Sequence, residues 1–77
     1  MKIIQNVYVN GNLLCADETQ ITDYKLLVFK MRLLARDVIQ IHTFRDGLLI
    51  SVMERAVERD AAAGDQFSLD NDCWITR

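Results

Sequence analysis

The chain has 77 residues and a mass of 8.9 kDa, enough for one small domain and one core. Apolar residues make up 51% and charged residues 26%, with no proline and three glycines, which excludes a disordered polymer, a linker and a collagen-like repeat. A domain this small buries only about 60–65% of its unfolded surface, so so apolar a composition predicts self-association, with a homodimer as the expected state.

Residues 2–9, Lys-Ile-Ile-Gln-Asn-Val-Tyr-Val, are dominated by β-branched and aromatic types and predict a strand. Asn10-Gly11 is a strong hairpin signal, because both residue types tolerate positive φ. Residues 13–16 are the returning strand, and Asp17, Glu18, Thr19 and Gln20 form a polar break.

Thr22 or Asp23 is placed to cap a helix. Beyond them Tyr24, Leu27, Met31, Leu34, Val38 and Ile41 are spaced 3, 4, 3, 4, 3, a heptad seam that predicts a helix over residues 22–41. Lys25, Arg32, Arg36 and Gln40 fall on its far face. A rival reading makes 38–44 a strand, Arg45-Asp46-Gly47 a turn and 48–52 the pairing strand. The heptad outranks it because it runs unbroken through Val38 and Ile41. A second helix is predicted over 47–63, with Leu49, Val52, Met53, Ala56 and Val57 on one face and Gly64 just past its end. The tail reads as strand (66–69), polar turn (Asp70-Asn71-Asp72) and strand (73–77). No internal repeat is visible. The expected fold is α+β, in the order β-β-α-α-β-β. Two central antiparallel helices pack on a small antiparallel sheet formed by the N- and C-terminal hairpins.

Chemistry-bearing residues are sparse. His42 is the only histidine and lacks a framed nucleophile, so its ordinary reading is a loop residue bonding locally. Cys15 and Cys73 stand far apart and read as small buried hydrophobes. With His42 they lack the paired spacing of a zinc site. Asp70-Asn71-Asp72 lacks the alternation of a calcium loop, and no glycine loop cradles phosphate. Catalytic residues, metal and cofactor are all expected to be absent. The N-terminus has no sustained apolar run and no stretch approaches a membrane span, so the expectation is a cytoplasmic protein without a membrane partner.

Residues 23–37 carry Lys25, Lys30, Arg32 and Arg36 against Asp23 and Asp37, net +2 in a chain of net −2. This basic stretch predicts an acidic protein partner, with Lys25, Phe29, Arg32 and Arg36 as contact residues and Phe29 as an exposed aromatic among the bases. The seam residues Tyr24, Leu27, Met31, Leu34, Val38 and Ile41 serve either the core or a dimer interface. The order helix, turn, helix, strand, turn, strand over 22–77 resembles part of a winged-helix DNA-binding domain. That resemblance implies 47–63 as a recognition helix and 66–76 as a wing. The helix would present Ser51, Glu54, Arg55, Glu58, Arg59 and Asp60, net −1, a poor surface beside phosphates. The expected function is therefore a non-enzymatic regulatory or inhibitory protein–protein interaction module of the size phages and mobile elements often encode. A winged-helix transcriptional regulator is the alternative.

Overall fold

A computed structural model describes residues 2–22, 26–68 and 73–74, of residues 20–22 and 73 only the backbone. Eight strands follow one another: β1 Ile3–Val9, β2 Asn12–Leu14, β3 Thr19–Thr22, β4 Leu26–Phe29, β5 Val38–Arg45, β6 Leu48–Ala56, β7 Gln66–Ser68 and β8 Cys73–Trp74. They form two four-stranded antiparallel sheets, ordered β2-β1-β5-β6 and β3-β4-β7-β8.

No helix occurs among the described residues, so the α+β expectation is overturned. Where the predicted helix over 22–41 is described, it is the end of β3, β4, a connector with a turn at 34–37, and β5; the one over 47–63 is β6 and a second connector. The winged-helix alternative falls with them, since it needs both helices. The rival hairpin is the one that forms: β5 pairs with β6 along its whole length. Two terminal hairpins are present, but in different sheets rather than in a shared one.

The physical reason lies in how densely apolar the middle of the chain is. Eleven of the sixteen residues from 26 to 41 are apolar, so a period of 3.5 finds matches that a period of 2 finds equally well. Burial follows the period of 2. Leu27, Phe29 and Leu33 are buried with Met31 packed against them, then Ile39 and Ile41. One cluster joins the sheets: Val7, Val9, Ile39 and Ile41 from the first, Leu27, Phe29, Phe67 and Trp74 from the second. The Trp74 ring stands edge-on to Phe67 at 5.1 Å and to Phe29 at 6.5 Å. Each such side chain contributes about 1.5–3 kcal/mol by leaving water.

Two turns close the ladder between β1 and β5. Asn10 (φ 51°) and Gly11 (φ 84°) turn the first hairpin, and Asp46 (φ 49°) and Gly47 (φ 86°) turn the second. The Asn10 N–H donates to Val38 O at 2.9 Å while its Oδ1 accepts from Val38 N at 2.9 Å. In the same way the Asp46 N–H donates to Lys2 O at 2.9 Å and its Oδ1 accepts from Lys2 N at 2.9 Å.

The connectors 30–37 and 57–65 run past each other and are related by an offset of 28 residues, a repeat hidden from the sequence pattern. Leu33 N–H donates to Ala61 O at 3.0 Å and Ala61 N–H returns to Leu33 O at 2.9 Å. Arg36 N–H donates to Val57 O at 2.8 Å, and Gly64 N–H donates to Phe29 O at 2.6 Å. Leu34-Ala35-Arg36-Asp37 and Ala62-Ala63-Gly64-Asp65 make the same turn. In each, the fourth residue's N–H donates to the first carbonyl at 3.1 Å, and the aspartate carboxylate accepts the first N–H, at 2.8 Å from Leu34 and 3.1 Å from Ala62. The third residue has positive φ in both.

Candidate functional site

Side chains alternate across a strand. Since Val7, Val9, Ile39 and Ile41 face the core, Ile4, Asn6, Tyr8, Gln40, His42 and Phe44 face outward on β1 and β5. Register adds Leu13 opposite Tyr8, and Leu49 and Val52 opposite Phe44 and His42. Ile4, Leu13, Leu49 and Val52 are each about half exposed, at 45%, 58%, 52% and 52%. Ile3, Leu48 and Ile50 crowd the same end of the sheet, where β6 carries an irregularity opposite Thr43 and Phe44. All the exposed large hydrophobics among the described residues except Leu34 therefore belong to this one sheet.

A polar chain crosses the outer face. The Tyr8 and His42 rings lie 4.4 Å apart, tilted by 41°. His42 Nε2 lies 3.4 Å from Gln40 Oε1, and Gln40 Nε2 donates to Glu54 Oε1 at 2.7 Å. His42 does bond locally, as its sequence suggests, but from mid-strand rather than from a loop. Chemically the face is apolar and aromatic, with amides and one carboxylate across it.

A second feature lies at the sheet edge. β2 pairs only with Val7, Tyr8 and Val9, so residues 3–6 of β1 have no strand paired on that side among the described residues. Where β2 ends, a cleft of about 720 Å³ opens, lined by Gln5, Leu13, Leu14, Cys15, Thr19 and Lys30 among others. The Thr19 hydroxyl is buried with no hydrogen-bond partner among the described residues. Cys15 is an exposed free thiol, not the buried hydrophobe its type suggests, and donates to Glu18 Oε1 at 3.3 Å. The side chain of Cys73 lies outside the described residues.

The residues singled out from the sequence are dispersed. Phe29 is 1% exposed, a core residue and not an aromatic on a basic stripe. Arg32 and Arg36 are exposed. Arg32 reaches Asp60 at 3.8 Å, and Arg36 is held in its turn. Of the seam, Leu27 and Ile41 are buried, Met31 and Val38 half-buried, and Leu34 51% exposed. Tyr24 and Lys25 lie outside the described residues, as do the proposed cap at Asp23 and the turn at 70–72. The outer-face role of Ile4, Tyr8, His42 and Phe44 is not among the sequence expectations, although alternation along 2–9 and 38–44 is the signal that carries it. No group of three or more His, Cys, Asp or Glu side chains is placed to hold a metal among the described residues. No helix there is long and apolar enough to cross a membrane. No protein-family model, no curated protein and no solved structure matches the chain.

Proposed function

We propose that the chain is a non-enzymatic protein-interaction module of the regulatory or inhibitory kind, homodimeric through the outer face of its first sheet. It acts in the cytoplasm, where the exposed Cys15 thiol stays reduced. The observation that carries the reading is that four of the eight exposed large hydrophobics among the described residues, Ile4, Leu13, Leu49 and Val52, share that one face. A contiguous apolar patch with a polar rim marks an interaction surface. In a two-fold contact each group meets a surface like its own, so formal charge there would repel. Along the centre of this face the only formal charge among the described residues is Glu54, and Gln40 already donates to it.

Size-exclusion chromatography with light scattering tests the proposal. Wild type at high micromolar concentration is expected at twice the 8.9 kDa chain mass, and Leu49→Asp at the chain mass. A wild-type monomer at that concentration overturns the reading.

A further inference from the structure

We propose that the open edge of β1 is a strand-addition site for an extended, acid-bearing segment of a partner protein. This is a surface separate from the outer face. Backbone groups in an antiparallel ladder alternate in direction. Lys2 O and Asn10 N bond to the β5 side at the two ends of the β1 ladder. Alternation therefore sends the N–H and C=O of Ile4, Asn6 and Tyr8 toward β5, and those of Ile3, Gln5, Val7 and Val9 the other way. β2 faces Val7 and Val9. The N–H and C=O of Ile3 and Gln5 are left on the edge with no strand beside them among the described residues.

Such a row of groups is a template for an added strand. The opposite edge, β6, is defended by its irregularity near residues 49–51, a device that discourages pairing. The β1 edge has no such device, and it leads directly into the cleft that Gln5 helps to line. The cleft sets the partner's chemistry. Leu13, Leu14 and Ala16 offer apolar wall, and Lys30 is the only charged side chain among the described residues lining it. Glu18, two residues beyond Ala16, accepts a hydrogen bond from the Cys15 thiol. An incoming carboxylate thus meets a cation and no like charge in the wall. The buried Thr19 hydroxyl of the same wall has no hydrogen-bond partner among the described residues. Backbone bonds to Ile3 and Gln5 hold the segment, and Lys30 selects an acidic residue at the end that enters the cleft.

The test pans the intact protein against a random dodecapeptide library displayed on phage. Affinities of synthesised winners are then read by fluorescence anisotropy, and the site is mapped by amide chemical shifts. The expectation is enrichment of extended peptides with alternating apolar residues and a terminal-side Asp or Glu. Shifts should appear at Ile3, Gln5, Leu14 and Thr19. Gln5→Pro removes an edge N–H that no strand uses, and should weaken binding at least tenfold. Lys30→Glu, which leaves the backbone untouched, should weaken acidic winners at least fivefold. Leu49→Asp should leave binding within twofold. Failure of any peptide to enrich overturns the proposal, as does binding indifferent to both Gln5→Pro and Lys30→Glu. Shifts confined to His42, Phe44, Leu49 and Val52 overturn it while leaving the outer-face reading intact. A wild-type monomer that still binds at Gln5 overturns the outer-face reading alone.

Discussion

Arg36 sits at φ 75°, a conformation that costs an L-residue about 1–2 kcal/mol. Its counterpart in the second connector turn is Gly64, at φ 92°, with nothing within 4 Å of where a Cβ would lie. The pair isolates backbone strain from packing. Arg36→Gly relieves the strain but loosens the unfolded chain, and should raise stability by about 0.5–1 kcal/mol. Gly64→Ala, the reverse exchange at the equivalent position, should lower it by about 0.5–1 kcal/mol, for backbone reasons alone. Urea unfolding of the two variants checks both signs. If Arg36→Gly destabilises instead, its guanidinium contributes something the turn geometry does not account for. Thr19 poses a similar single-atom question. Its buried hydroxyl forgoes hydration without gaining a bond among the described residues, so Thr19→Val, nearly the same shape, should be neutral or stabilising by about 1 kcal/mol.

Among elements, β4 and its connector decide between the helical and extended descriptions of mid-chain. In a heptad seam Leu34 would be as important as Leu27, and Phe29 would be peripheral. In the strands Phe29 is 1% exposed and Leu34 is 51% exposed. Phe29→Ala should therefore cost about 3–5 kcal/mol, and Leu34→Ala within about 0.5 kcal/mol, in the same urea experiment. The Asn10-Gly11 turn was legible from the start, and the Asp46-Gly47 turn was legible only in the rival reading, because both pairs encode positive φ in residues that accept it. The strand at 38–45 was legible too, from Val38, Ile39, Ile41 and Thr43. What hid it was Val38 and Ile41 sharing a 3.5-residue spacing with Leu27, Met31 and Leu34, a coincidence that dense apolar sequence permits. The paired connector turns were not legible at all. Arg36 at a glycine position masks the likeness of Leu-Ala-Arg-Asp to Ala-Ala-Gly-Asp, and only the hydrogen bonds of Asp37 and Asp65 reveal it. The same holds for the candidate surfaces. Alternation identifies the outward residues once strands are known, whereas the β1 edge and the cleft depend on β2 ending at Leu14, which no local signal announces.

At the scale of the whole molecule, the proposed self-association through the outer face would tie stability to concentration. When folding and pairing are one equilibrium, each tenfold rise in protein stabilises the folded dimer by about 1.4 kcal/mol. Unfolding entropy is about 2.1 cal/mol/K per residue, or about 0.32 kcal/mol/K for two chains of 77 residues. The Tm should then climb about 4 °C per tenfold in concentration. Val52→Asp places a carboxylate on the face opposite His42, where its own copy and Glu54 oppose it, and should flatten that slope to zero. Salt discriminates the cause. Ion pairs such as Arg32–Asp60 are exposed on both partners and weaken as the Debye length falls from about 10 Å at 0.1 M to about 3 Å at 1 M. An interface built from Ile4, Phe44, Leu49 and Val52 has little charge to screen, so the wild-type slope should persist at 1 M salt. A slope present at low salt and gone at 1 M would place the association on the charged surface instead, away from this face.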